Sequence, residues 1–568
     1  MINNLTIWAS LMLFAMPIAV RSQEAIAGRV VKGNFAPAMP VQQRPALDLG
    51  NFSGADVPAG AEQVTLDIRG VRFEGDPCPV PQAASDLRRA MAAPHLTVAD
   101  LYAHVQAMEQ TLSQAGYVLT RVIVPPQRIE PGNPVRIKII NGRIDRIEVS
   151  ALPTPIRSPV SSRLAGLVDK PLLQRDDIER ALLVAGDFGG LALRSTFAPG
   201  ASAGSTSLIL DGAFSPFSGT TGIDRGASDS VGGWGATVST SLNSPFGAGE
   251  QLYFTFQSDP RLGLGRDSGM RVLAAGAIIP VGTDGLTISP EIVGSRILPE
   301  SRAGVPDSRN EMARASFRLN YPWIRQTDRT VITYATADYI SQRVRVSDFD
   351  FTLSSDSYAT LRGVIEGQWL PSPQLTLFGS VKLSQGLGNA RSAFSNVAGA
   401  PSTHQGAEAD FTKLDLTLGL TSQRDGVTAS AFLRGQSSFG KPLFNSEQLA
   451  LDGADALSSL PPGGYAVDEG ATLRGELARP VFLRGINGIA LSSYVFAGLA
   501  AGRVHNPTAV EAANIRAANV GLGMRMRFWH GAHDKQALGL GVEFGRAWVD
   551  AVRRERSSRL NLNLTWNF

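Results

Sequence analysis

The sequence predicts a β-rich membrane protein: a sixteen-stranded transmembrane β-barrel preceded by two small α/β units. Three observations carry this. The last ten residues place Leu560, Leu562, Leu564, Trp566 and Phe568 on one face of a strand, and Arg559, Asn561, Asn563, Thr565 and Asn567 on the other. A strand alternates its side chains with period 2, and about ten tilted residues cross a hydrocarbon core, so an apolar face opposite a polar one marks a barrel wall. Sixteen alternating segments, an even number, follow Gly219. Two consecutive β-α-α-β-β patterns precede them, which is an internal repeat.

Composition agrees. The 568 residues include 59 glycines, carry a net charge of +3 with a pI near 9.0, and have a mean hydropathy of zero, as expected where half of each strand is polar. Basic and acidic residues nearly balance, so no nucleic-acid partner is indicated. Cys78 is the single cysteine, which excludes an internal disulfide and reads as a packing residue.

From the N-terminus, Ile7 to Val20 is an apolar core followed by small-residue cleavage candidates, a secretory signal over 1–22, although no Lys or Arg precedes the core. Residues 23–62 are Pro- and Ala-rich, a linker with at most a short helix near 26–32. The first α/β unit spans 63–142. Its strands are expected at 64–68, 71–73, 118–124 and 135–140, and its helices at 85–91 and from 97 to 112. Thr97-Val98-Ala99-Asp100 reads as a capping box, Leu101, Val105, Met108 and Leu112 as a buried helix face, and Gly116 as the helix stop. The second unit spans 143–213, with strands at 144–149, 191–197 and 207–210 and helices at 161–168 and 176–183.

The barrel spans 214–568. Its strands are expected near 217–226, 231–242, 249–258, 268–280, 284–298, 310–323, 329–345, 356–370, 373–386, 410–424, 426–437, 466–480, 488–503, 515–529, 536–549 and 558–568. Connections after even strands are short and several after odd strands are long, the asymmetry of periplasmic turns and outer loops.

The stretch Gly116-Tyr117-Val118-Leu119-Thr120-Arg121-Val122-Ile123-Val124-Pro125-Pro126-Gln127, with Val135 to Ile144, resembles the POTRA domain of two-partner secretion transporters, the haemolysin-activator and filamentous-haemagglutinin type of the Omp85 superfamily. The resemblance implies an outer-membrane pore of a Gram-negative bacterium. Its periplasmic POTRA domains would recognise an unfolded secreted partner, an adhesin or haemolysin, and the barrel would pass that partner to the surface. Outer-membrane lipid and the barrel-assembly machinery would be further partners. A barrel-assembly factor of the same superfamily is the alternative, disfavoured because such factors usually carry more POTRA units. Partner capture by strand addition would fall on the strands of 118–124 or 135–140, hence on Tyr117, Arg121, Val122, Val124, Gln127, Ile137 and Ile139.

The loop after strand eleven resembles the family's pore loop. By spacing, its tip is Leu457-Ser458-Ser459-Leu460-Pro461. The family's tip arginine is replaced by Ser458. Its aspartate partner on strand thirteen, in Gly498-Leu499-Ala500-Ala501-Gly502, is replaced by Ala500. Both departures together read as one compensated change. The loop is expected to fold into the pore on Leu457 and Leu460, against Gly498, Ala500 and Gly502; the alternative is a loop released to the outside with a changed or degraded function. Leu564, Trp566 and Phe568 are expected to close the barrel.

An enzyme is not indicated, nor is a cofactor or metal. Gly200-Ala201-Ser202-Ala203-Gly204 matches a nucleophile elbow by letter but joins two strands, where the elbow needs a strand-to-helix turn. His530-Gly531-Ala532-His533-Asp534 lies in a turn with no further ligand nearby.

Overall fold

The computed structural model describes residues 35–37, 57–202, 204–260, 268–301, 307–347, 351–388, 406–481, 488–507, 511–529 and 537–568. The expected signal, the 26–32 helix and the 530–534 histidine pair lie outside these residues.

In the first α/β unit, strand Asn133–Ile140 runs parallel to Ile68–Gly75 on one side and antiparallel to Arg121–Ile123 on the other. Helices Pro81–Ala90 and Val98–Gln114 cover one face. Thr97 and Asp100 form the capping box: Thr97 Oγ1 accepts from Asp100 N at 3.1 Å and Asp100 Oδ2 from Thr97 N at 2.8 Å. That backbone bond holds the Asp100 carboxyl below its ordinary value. Leu101, Val105, Met108 and Leu112 are buried, and Gly116 ends the helix at φ 97°. Cys78 packs partly buried against this core.

The strand expected over 118–124 is confined to Arg121–Ile123. Tyr117 to Thr120 is a turn, closed by Thr120 N donating to Tyr117 O at 3.1 Å. Val118 and Leu119 leave the first unit's core and are buried in the second's, beside Ile144, Leu173 and Phe197. Arg175 N donates to Gly116 O at 2.9 Å across the same joint.

The second unit repeats the plan, with Arg143–Glu148 parallel to Ser205–Phe214 and Leu191–Pro199 antiparallel to it. Its first helix is Thr154–Leu164, starting earlier than the expected 161. Pro155 suits the first turn, which needs no N–H. Pro159 lacks the N–H that would reach the Pro155 carbonyl. Ser244 Oγ, from a barrel turn, donates to that carbonyl instead at 3.1 Å.

Sixteen antiparallel strands close the barrel. They are β1 (Phe217–Asp224), β2 (Gly235–Asn243), β3 (Gln251–Ser258), β4 (Met270–Val281), β5 (Leu286–Ile297), β6 (Ser308–Arg325), β7 (Arg329–Val346), β8 (Phe351–Ser372), β9 (Leu375–Leu387), β10 (Thr412–Arg424), β11 (Val427–Ser437), β12 (Glu469–Val481), β13 (Ile489–Arg503), β14 (Asn514–Trp529), β15 (Ala537–Asp550) and β16 (Arg554–Asn567). Every expected strand is present. Large apolar side chains such as Ile365, Leu499 and Leu522 are exposed on the outer wall, and the polar alternates face the lumen. At the seam, β16 pairs with β1 from Asn563↔Asp224 to Asn567↔Thr220, and Gly219 and Phe568 exchange two backbone bonds of 3.0 Å. The Phe568 ring lies tilted 5.0 Å from Trp566 and 5.8 Å from Phe217, while Leu564 and Trp566 face outward.

The second α/β unit docks on the turns between even and odd strands. Arg325 donates to both Asp187 oxygens at 2.7 and 3.0 Å, Thr327 N donates to Glu179 at 2.7 Å, and Arg180 reaches the Trp323 carbonyl at 3.0 Å. A Cβ on Gly249 would lie 2.2 Å from the Phe188 ring, so only glycine admits that ring. The short turns therefore share one end with the α/β units, and the long loops occupy the far end. No helix among the described residues is long and apolar enough to cross a membrane.

Candidate functional site

The lumen is filled from the far end by the loop between β11 and β12. Its limbs pair as a short ladder, Leu449–Ala450 with Ala466–Val467, and its tip is Leu457 to Pro461. Leu457 and Leu460 are buried in a cluster with Ala500, Ala517, Ala547 and Val549, all on lumenal faces of β13 to β15. The strip Gly498, Ala500 and Gly502 lies beneath the loop. A Cβ on Gly498 would stand 3.6 Å from the Ala456 carbonyl, and one on Gly502 would meet the Val467 side chain at 2.5 Å. Small residues here leave room for the loop, and Ala500 packs in the apolar cluster with Leu457 and Leu460.

A polar clamp holds the tip as well. Arg474, on the lumenal face of β12, donates to Ser458 Oγ at 2.7 Å and to Glu543 on β15 at 2.7 Å. Its guanidinium lies 4.0 Å from the Phe496 ring centroid, and Tyr494 adds a hydroxyl to Glu543 at 3.0 Å. Asn561 Nδ2 donates to the Ser458 carbonyl at 2.8 Å, Ser557 Oγ to the Ser459 carbonyl at 3.0 Å, and Asn519 Nδ2 to Ser459 Oγ at 3.3 Å. A Cβ on Gly545 would lie 2.1 Å from Ser459 Oγ. An arginine is thus present beside the tip, but it stands on the wall and points at the loop. In the sequence it looks like any lumen-facing polar residue of the run Thr472-Leu473-Arg474-Gly475-Glu476, so alternation gave its face and nothing gave its partner.

The root of the loop has its own clamp. Glu447 is fully enclosed, with Arg362 of β8 at 2.6 and 3.0 Å, Lys413 of β10 at 2.9 Å and the Tyr358 hydroxyl at 3.2 Å. Burial pushes the Glu447 carboxyl up, but the Arg362 guanidinium and Lys413 ammonium outweigh it and hold it well below the usual carboxylate range. Asp468, at the other root, accepts from Leu443 N at 3.0 Å and His505 N at 2.7 Å. Phe35, near the start of the chain, also reaches the lumen, its N–H donating to Glu291 at 3.0 Å and its ring packing on Val272, Ala274 and Val293.

The residues expected to capture a partner in the first α/β unit do not form one surface. Strand 133–140 is the middle of its sheet and cannot take an added strand, and Ile137 and Ile139 are core. Val122 is buried and Val124 packs on the same core. The Tyr117 hydroxyl accepts from Gln174 Nε2 at 3.3 Å in the joint, and Arg121 donates to the Val118 and Thr120 carbonyls at 2.9 and 3.0 Å. Gln127 acts as a piece of strand: its Oε1 accepts from Arg136 N and its Nε2 donates to Arg136 O, both at 2.8 Å. It closes the edge of 133–140 where Arg121–Ile123 ends. Sheet order decides all of this, and a single strand's composition does not reveal it.

Gly200 to Ser202 and Gly204 belong to the connection between strands Leu191–Pro199 and Ser205–Phe214, so a strand and not a helix follows, which removes the elbow reading. Asp145 braces this connection, accepting from Ala201 N at 2.9 Å and Ser207 Oγ at 3.2 Å. The Ser205 hydroxyl and the Ala201 N–H hold its carboxyl below the ordinary value.

The family model described as "Haemolysin secretion/activation protein ShlB/FhaC/HecB" matches residues 208–526, and that described as "POTRA domain, ShlB-type" matches residues 66–142. Among solved structures, the chain is similar to CdiB from Escherichia coli, with 15% identity over 99% of this chain and 98% of that one and a TM-score of 0.67. It is also similar to CdiB from Acinetobacter baumannii, with 13% identity over 99% and 98% of the two chains and a TM-score of 0.59. No curated protein matches.

Proposed function

Since the chain belongs to the haemolysin secretion/activation family of two-partner secretion pores, we propose that the loop of 449–467 is the gate of this pore and that Arg474 is its latch. The observation that carries this is the tip seated on the lumenal wall, with Ser458 on Arg474 and Leu457 and Leu460 against Ala500. In this state the loop occupies the path an exported chain must take, so export requires the tip to leave the wall.

The barrel sits in an outer membrane with the α/β units on the periplasmic side. Their docking on the short turns supports this side, and the exposed apolar wall supports the membrane. The cargo is a large exoprotein that arrives unfolded, is held by the α/β units, and threads the lumen. It is driven outward by folding beyond the pore, and no bond is made or broken. The available strand edges of the first unit are the outer edges of Ile68–Gly75 and Arg121–Ile123. Capture there rests on backbone pairing more than on the side chains of Ile137 or Ile139.

The test removes residues 63–213 and compares the two proteins in planar bilayers and in cells that also express a candidate exoprotein. The shortened chain should insert and conduct but export nothing. Export at the full level without these residues would defeat the capture role.

A further inference from the structure

We propose that the outer wall of β12 to β16, at the far end, binds a phosphate-bearing glycolipid of the surrounding leaflet; this rests on the barrel being a membrane pore. The registers build the site in two rows. Leu499, Ala518, Trp548 and Arg556 stand side by side on β13 to β16, and one pleat nearer the far end stand Ala501, Arg516, Asp550 and Arg554. All eight belong to the outward alternation of their strands, since Leu499, Val520, Leu522, Trp548 and Leu560 of the same faces are exposed and Ala500, Ala517, Asn519 and Val549 between them are buried.

Three properties point to one ligand chemistry. The rows line a trough of about 710 Å³, with an alanine floor at Ala501 and Ala518 between the taller Leu499 and Trp548. That shape takes acyl chain. Its rim is cationic: Arg516, Arg554 and Arg556 line it. Asp550 is the acid of the rows and stands 3.8 Å from Arg554, which leaves the balance positive. Glu555 also borders the trough but belongs to the lumenal alternation, where it accepts from Tyr465 at 2.8 Å. Arginine on a lipid-facing wall is least costly near the interface, and its fork matches phosphate oxygens two at a time. Trp548 occupies the level where an indole marks the headgroup boundary. Acyl trough below and arginine rim above match a lipid with phosphates on its sugar headgroup.

The experiment uses the full chain, purified in detergent, and native mass spectrometry after incubation with bisphosphorylated lipid A, with the same lipid dephosphorylated, and with phosphatidylglycerol. The wild type should retain bisphosphorylated lipid A about tenfold more than either other lipid. Arg516→Gln and Arg556→Gln should each lower that retention about fivefold. Ala518→Phe, which fills the trough without changing charge, should lower it too, while Arg479→Gln, on β12 at the opposite end, should not. Equal retention of the dephosphorylated lipid overturns the phosphate site, and this comparison needs no variant to fold. Equal retention of phosphatidylglycerol overturns the glycolipid assignment, and wild-type retention by the Arg516→Gln/Arg556→Gln double variant overturns the location. Conductance of the same wild-type sample separates the two readings: a conducting pore without selective retention counts against the lipid site, and a barrel that neither inserts nor conducts counts against the pore.

Discussion

Consider Ser458→Ala together with Arg474→Gln. Ser458 Oγ receives one charge-assisted bond of 2.7 Å at a position that is 8% exposed. Such a bond contributes about 1.5–3 kcal/mol, and lumenal water replacing the hydroxyl favours the low end. About 1.5 kcal/mol is a tenfold change in the ratio of released to seated tip. Arg474→Gln removes that bond and also leaves Glu543, 12% exposed at its side chain, with Tyr494 as its remaining short partner among those described. Breaking a buried pair costs about 3–5 kcal/mol, and the nearby Arg525, which pairs with Glu476, brings this toward about 3 kcal/mol. Once Arg474 is gone, Ser458→Ala has nothing left to remove. The double variant should therefore match Arg474→Gln alone, with a coupling energy of about 1–1.5 kcal/mol. The assay is single-channel open probability in planar bilayers, with protease access to residues 451–466 as a second reading of tip release. Additive effects would show that Ser458 and Arg474 do not act on each other, and the latch would be lost.

Restoring the family's residues should fail here: Ser458→Arg meets the Arg474 guanidinium and Ala500→Asp enters the apolar cluster under Leu457, so each should raise open probability. Glu447→Gln leaves Arg362 and Lys413 without their shared carboxylate, a loss of about 3–5 kcal/mol at the loop root, and limited proteolysis from outside should then cut near 440–448. Asp145→Asn should destabilise the second α/β unit at neutral pH. Its folded carboxyl value is lowered, so its contribution is fully present above about pH 4 and is lost as pH falls through the folded value. Pulse proteolysis of the full chain should show the gap between variant and wild type closing in acid. Deleting Phe568 removes its ring contacts with Trp566 and Phe217 and two seam hydrogen bonds, and heat-modifiable gel mobility should show less folded barrel.

The barrel was legible because one physical rule governs every strand: hydrocarbon outside and water inside impose period 2, and Val520, Leu522 and Met524 against Gly521, Gly523 and Arg525 obey it. Helix Thr154–Leu164 was harder to place because Pro155 and Pro159 look like breakers, and the carbonyl that Pro159 leaves free is satisfied by Ser244, 89 residues away. Val118 to Val124 read as strand because its branched residues suit one, yet half of it turns to serve another core. Spacing to Asp468-Glu469-Gly470 singled out Leu457 to Pro461, and Leu457 and Leu460 of that stretch are buried against the lumenal wall. The clamp on it could not be read this way, because the pairing of Arg474 with Ser458 and Glu543 exists only once the strands are wound into a cylinder.

The joint at Val118 and Leu119 has a consequence for how the periplasmic arm inherits and exchanges parts. A border drawn at residue 142 by sequence repeat is not a border in packing, since two side chains of the first unit complete the second unit's interior. A foreign first unit grafted at that border would carry its own turn into a cavity shaped for this one. The two units should therefore recombine as a single cassette, melt together in one calorimetric transition, and diverge in step, with changes at 118–119 answered by changes around Ile144 and Phe197.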